Sequence, residues 1–253
     1  MEIKDQVVLV TGGSRGLGAE IVKAFAREGA KLVINYVNSE DKAHQLQQYI
    51  GDSAIVLRAD IRNAEQVREM FQQAKDYFGK PITTIINNAL VHFRFDPLLK
   101  KDAGSIDWDD YHQQLEGAIR GALNTTQSGL DDMKAMGFGR IINIGTNLVQ
   151  NPVVAYHDYT TSKAALIGFT RNMANELGQY GITVNMVSAG LLKVTDASSA
   201  TSEEVFQLIE SSTPLRKVTD PAEVADTTVF FASAWGRAVT GQNLMVDGGL
   251  VMN

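Results

Sequence analysis

The sequence predicts one α/β domain, a doubly wound parallel sheet of about seven strands with helices on both faces. Three observations predict it. Short apolar runs alternate with longer stretches of helical period along the whole chain. Most of the runs are rich in Val and Ile and lack period-2 alternation, as parallel strands buried on both faces require. No repeat, low-complexity tract or linker interrupts the alternation over 253 residues, a length at which α/β folds often stay undivided. A single domain over 1–253 is therefore expected.

The candidate strands are 6–11, 31–36, 54–58, 82–87, 140–145, 183–187 and 243–246. Helical stretches lie between them at 18–28, 64–78, 111–136, 161–178 and 221–234. Alternating β and α implies right-handed crossovers, which put helices on both faces. Two segments look irregular: 90–107, carrying Arg94, Lys100 and Lys101, and 189–202. Both follow strand ends, where open α/β sheets bind ligands, and both are expected to be substrate-side loops. Asp107-Trp108-Asp109-Asp110 has the acids of a helix start.

Composition narrows the function classes. A formal charge of −6 argues against nucleic acid, whose binding rests on phosphate neutralisation by Lys and Arg. No run of 18 apolar residues exists, and MEIKDQVVLVTGG lacks a signal-peptide pattern, so a cytoplasmic protein is expected. The absence of cysteine excludes disulfides, zinc–thiolate sites and thiol catalysis. His44, His92, His112 and His157 show no ligand spacing, and no metal site is expected. Phe230, Phe231 and Trp235 are expected in the core or at a subunit contact.

The first strand runs directly into Thr11-Gly12-Gly13-Ser14-Arg15-Gly16-Leu17-Gly18 and then a helix. Glycine lets the backbone turn tightly and approach a pyrophosphate seated on the positive end of a helix. In a full βαβ context this turn points to a nucleotide. Sites for NAD place an acid after strand two, whereas NADP sites offer cations to the 2′-phosphate. Strand two ends Ile34-Asn35-Tyr36 without an acid, and Glu40 and Asp41 read as a first helical turn behind Asn38 or Ser39. Arg15 can reach the same phosphate, so NADP(H) is the expected cofactor.

Tyr159 and Lys163 stand four apart at a helix start and share one face. Reducing a ketone needs a hydride on carbon and a proton on oxygen. A free tyrosine, with a pKa of about 10, is too weak an acid for easy exchange at neutral pH. The Lys163 ammonium and a positive nicotinamide would favour phenolate, making Tyr159 the expected general acid.

With T-G-x-x-x-G-x-G at Thr11–Gly18, Asp60, Asn87-Asn88-Ala89, Tyr159-x-x-x-Lys163, Asn185 and Val246-Asp247-Gly248-Gly249, nearly the whole chain resembles the short-chain dehydrogenase/reductase family. The branch it is most similar to is the bacterial 3-oxoacyl-acyl-carrier-protein reductases. The resemblance implies a Rossmann-type fold, NADPH-dependent reduction of a 3-oxoacyl thioester in fatty acid biosynthesis, and a homotetramer. It also implies a cofactor site of Gly12, Ser14, Arg15, Gly16, Leu17, Gly18, Asn35, Tyr36, Asp60, Ile61, Asn88, Ala89, Tyr159, Lys163 and Leu192. The family's serine, thirteen residues before the tyrosine, falls on Thr146, which keeps the hydroxyl and adds a methyl. Tyr156 is a neighbouring alternative phenol; without a lysine partner it is expected as packing or pocket wall.

Four departures follow. Ala118 takes the place of an Asn that anchors a water in the family's proton relay. Leu90 replaces the glycine of N-N-A-G, and Ala189 the proline before the substrate loop. The basic positions that meet an acidic carrier fall on Gly137 and Tyr180, with Lys134, Arg140 and Arg171 nearby as substitutes. Ala118 and Leu90 leave a second possibility open, an NADP(H)-binding protein with weak catalysis; a short-chain reductase of another carbonyl or alcohol is a third.

Overall fold

The computed structural model describes residues 1–252 except 92, 94, 97–99, 194 and 196–197, so His92 and Arg94 lie outside the described residues. The described residues form seven strands: β1 (Val7–Val10), β2 (Lys31–Tyr36), β3 (Ala54–Arg58), β4 (Thr84–Asn87), β5 (Gly139–Thr146), β6 (Ile182–Ala189) and β7 (Asn243–Val246). They form one sheet in the order β3-β2-β1-β4-β5-β6-β7, and every pair is parallel. The strand order reverses between β1 and β4, which opens a crevice at their carboxyl ends.

Eight α-helices are described: α1 (Gly16–Arg27), α2 (Glu40–Ile50), α3 (Ala64–Phe78), α4 (Trp108–Leu115), α5 (Gly121–Met136), α6 (His157–Leu177), α7 (Glu203–Ser212) and α8 (Pro221–Ala232). Alternate β1 residues feed two cores. Val8 and Val10 pack with Ile21, Val22 and Phe25 of α1, Leu46 of α2 and Phe231 of α8. Val7 and Leu9 pack on the other face with Met70 and Phe71 of α3, Met133 of α5 and Leu177 of α6. Both faces being covered explains the unalternating apolar runs. No helix among the described residues is long and apolar enough to cross a membrane.

The structure differs from expectation at particular elements. The helix expected over 111–136 begins at Trp108, behind an Asp107–Asp110 capping box, and is interrupted by a π-turn at Glu116–Arg120. Glycines frame that turn for steric reasons. A Cβ on Gly117 would stand 2.9 Å from Val91 Cβ, and one on Gly121 would stand 2.4 Å from Ile61 Cδ1. Close approach of the segments after β4 and β3 thus fixes the bulge, a feature a 3.6-residue period cannot reveal. Ser39 occupies the N-cap of α2, yet its side chain makes no cap bond. Helix α7 buries none of its residues and lies beyond the expected elements. Phe231 is buried, whereas Trp235 is 82% exposed.

Candidate active site

The glycine turn joins β1 to α1. Gly12 and Gly16 have φ of 61° and 53°, a region that glycine enters without penalty. A Cβ on Gly18 would stand 2.3 Å from the Gly12 carbonyl oxygen. The turn is tied to its neighbours by hydrogen bonds. Thr11 Oγ1 accepts from the backbone N–H groups of Asn88 (2.9 Å) and Ala89 (3.0 Å). Asn88 Nδ2 donates to the Thr11 oxygen at 2.9 Å. Arg15 is the N-cap of α1 without a side-chain cap bond, so the first N–H groups of the helix are left for an anion. Ser14 is buried and Leu17 half-buried beside them.

Asn35 lies behind the turn. Its Oδ1 accepts from Gly12 N at 3.3 Å, and its Nδ2 donates to the Ala59 oxygen at 2.9 Å. The Tyr36 phenol is buried against Glu40; burial first and then that carboxylate push its pKa up. Asp60 accepts from Arg62 Nη2 at 2.6 Å. The Ile61 oxygen accepts from Asn124 Nδ2 at 2.8 Å. Leu192 bridges to Thr219 beyond the end of β6.

Thr146, Tyr159 and Lys163 are each 5% exposed and converge at the carboxyl end of β5. Thr146 ends the strand, and Tyr159 lies in the first turn of α6. Lys163, one turn on, donates from Nζ to the Ile144 oxygen at 2.7 Å. Tyr159 hydrogen-bonds Thr146. Burial pushes the Tyr159 pKa above its ordinary value, and the Thr146 bond only partly offsets this. Burial also pushes Lys163 down to about 8. Lys163 alone therefore does not make the phenol acidic, because desolvation dominates at both groups.

A cavity of about 10 Å³ touches Lys163, Thr11, Asn87 and Ala118, among others. It is about the size of one water and offers polar partners. Behind it, Thr125 Oγ1 donates to Asn87 Oδ1 (2.7 Å) and Asn87 Nδ2 to Asn143 Oδ1 (2.8 Å). Asn143 Nδ2 in turn donates to Thr170 Oγ1 at 2.8 Å. A larger cleft of about 540 Å³ flanks Gly16, Lys193 and Thr195 and does not reach Tyr159.

Two sets of contacts escaped the reading of the sequence. Asp247 accepts from Asn147 Nδ2 at 3.0 Å, which ties the V-D-G-G segment to the residue beside Thr146. Phe93 stacks on Tyr159, with centroids 4.5 Å apart and planes 18° apart, and Phe95 meets the same ring edge-on at 5.1 Å. Tyr156 closes the cluster against both phenylalanines. The only signal was a Phe-x-Phe pair in a loop. Arg140 corrects an expectation: it is 6% exposed, stacks on Phe138 and donates to the Gly139 and Gly181 oxygens, so it cannot meet a carrier protein. Lys134 instead lies over the Tyr180 ring at 4.6 Å, and Arg171 is exposed.

Comparison with known proteins agrees with this geometry. A family model described as enoyl-(acyl carrier protein) reductase matches residues 12–251. The 3-oxoacyl-(acyl-carrier-protein) reductase FabG of Staphylococcus aureus strain Mu50 is 32% identical over 249 residues, covering 96% of this chain and 97% of that protein. Its namesake from Vibrio cholerae serotype O1 is 32% identical over 252 residues, covering 100% of both. The crystal structure of a blue fluorescent protein from a metagenomic library, in complex with NADPH, superposes with a TM-score of 0.87 at 33% identity over 100% of both chains. The chain belongs to the short-chain dehydrogenase/reductase family.

Proposed function

We propose that the chain is an NADPH-dependent reductase of a ketone carbonyl, with a 3-oxoacyl thioester as its substrate class. The observation that carries this reading is the convergence of Tyr159, Thr146 and Lys163 beside the β1/β4 crevice into which the glycine turn opens. The residues present fit the cofactor. Gly18 lets α1 start directly against the Gly12 carbonyl oxygen, where a Cβ would clash, and the uncapped start of α1 offers N–H groups to a pyrophosphate. Arg15 meets the 2′-phosphate, while Glu40, the nearby acid, is engaged by the Tyr36 phenol.

The remaining cofactor contacts come from Gly12, Ser14, Gly16, Leu17, Asn35, Asp60, Ile61, Asn88, Ala89 and Leu192. When bound, NADPH would supply the hydride and would thereby become the positively charged, oxidised cofactor. Thr146 donates to the carbonyl oxygen and orients it. Tyr159 gives that oxygen its proton as the carbon–hydrogen bond forms. Lys163 holds the cofactor ribose and stabilises the phenolate that remains. The names of the relatives support the thioester. A cytoplasmic location and a homotetramer belong to the same reading. The exposed Leu244 on edge strand β7 and the exposed Trp235 suit a subunit contact.

The test is NADPH oxidation with a carbonyl panel that includes acetoacetyl thioesters. Turnover that depends on Tyr159 is expected. Turnover of no carbonyl, or turnover that survives Tyr159→Phe unchanged, would overturn the reading.

A further inference from the structure

We propose that Phe93, Phe95 and Tyr156 form an aromatic wall at the carbonyl site that selects 3-oxo substrates bearing a flat aryl group next to the ketone over straight-chain ones. This rests on the function proposed above and names the substrate class of that site.

Position comes first. A ketone oxygen held by Tyr159 and Thr146 leaves its two substituents to extend past the Tyr159 ring. Three other rings meet there. Phe93 lies parallel to the phenol at 4.5 Å, Phe95 stands edge-on to it at 5.1 Å, and Phe93 and Phe95 are themselves perpendicular at 4.9 Å. Tyr156 is perpendicular to Phe93 at 5.3 Å. The loop carrying the phenylalanines is held at its root. Gln114 Nε2 donates to the Val91 oxygen at 3.1 Å, and Gly117 lies against the Val91 side chain. Val91 is thus fixed against α4 and the π-turn.

Chemistry comes second. Stacked rings at 4.5 Å leave no room for a third between them, so Phe93 must turn outward about the fixed root when substrate enters. It gives up a face-to-face contact in doing so. An aryl group restores that contact with its own face and meets the edges of Phe95 and Tyr156; a flexible alkyl chain restores little of it. Burial, and then the charge of Asp96, raises the Tyr156 pKa, so the wall presents a neutral phenol. A neutral, flat, conjugated ketone fits all of these constraints.

The experiment compares kcat/KM for the N-acetylcysteamine thioesters of benzoylacetate and acetoacetate, with NADPH and the full chain. The aryl substrate is expected to be favoured by about tenfold, the effect of one to two ring contacts. Phe93→Ala should erase most of that preference, and Phe93→Leu, which keeps apolar bulk without a flat face, should erase much of it too. Saturation-transfer NMR of ethyl benzoylacetate gives a readout without turnover. Its phenyl protons should receive the strongest transfer, and the transfer should weaken in Phe93→Ala. Tyr159-dependent turnover in which the acetoacetyl substrate equals or exceeds the benzoylacetyl one would overturn the inference and leave the reductase intact. So would an aryl preference unchanged in both Phe93 variants. Turnover of neither substrate would overturn both.

Discussion

Lys163 Nζ donates to the Ile144 carbonyl oxygen at 2.7 Å, which anchors the ammonium to β5 rather than to a carboxylate. A cation buried against a neutral acceptor is held at an energetic disadvantage, which is why its pKa falls to about 8. In the free protein the group is therefore poised to lose its proton far more readily than an exposed lysine.

Stability should follow that poise. Between pH 8 and 10.5 an unfolded chain keeps a proton on Lys163 that the folded chain has released, so the folded state gains stability as pH rises through this window. Tyr159 opposes this above pH 10, where its buried phenol keeps a proton that the unfolded chain loses. From pH 8 to 10, cofactor-free protein should gain about 2 kcal/mol relative to Lys163→Met. Denaturant midpoints at each pH check this, and a difference that does not change with pH would contradict it.

The glycine turn makes a sharper steric prediction. Gly18→Ala puts a methyl 2.3 Å from the Gly12 oxygen, a backbone atom that cannot yield cheaply. Among the described residues, Gly16→Ala meets only Thr195 at 3.8 Å, and its main cost is a left-handed φ, about 1–2 kcal/mol. Gly18→Ala should lose NADPH affinity by at least tenfold or fail to fold, whereas Gly16→Ala should fold with a lower Tm. Calorimetric NADPH binding and thermal melts distinguish the two.

At Ala118 the small cavity beside Lys163 can hold one water able to pass protons. Ala118→Val should fill it and lower kcat by about tenfold with little change in NADPH affinity. An unchanged kcat would show that the cavity takes no part in the reaction.

The loop root offers a further check. Gly117→Ala forces a methyl against Val91 and should displace the segment carrying Phe93. KM for the carbonyl substrate should change several-fold while the Kd for NADPH stays constant. A change confined to NADPH binding would contradict this placement.

Much of the fold was legible because apolar runs buried on both faces leave an unbroken Val/Ile signal, as in Val7–Val10 and Lys31–Tyr36. The interruption at Glu116–Arg120 was not, since it arises from Val91 and Ile61 pressing on Gly117 and Gly121, contacts made far away in sequence. Helix α7 was missed because it commits none of its side chains to the core. At the site, spacing alone brought out Tyr159 and Lys163, because one helix carries both. The stacking of Phe93 on Tyr159 joins a loop to a helix 66 positions later (159 − 93), and no local pattern encodes it. The direction of the Tyr159 shift was hidden likewise, because charge can be read in a sequence and desolvation cannot.

The central claim is that a buried phenol, reluctant to ionise in the free protein, becomes a proton donor of useful strength only beside the bound cofactor. Tyrosinate absorbance near 295 nm, taken as wild type minus Tyr159→Phe and titrated with and without NADP⁺, tests it directly. Without cofactor, no Tyr159 phenolate should form below pH 10; with NADP⁺ bound, ionisation should move well below that value. Identical titrations in the two states, or phenolate formed below pH 10 in the free protein, would contradict it.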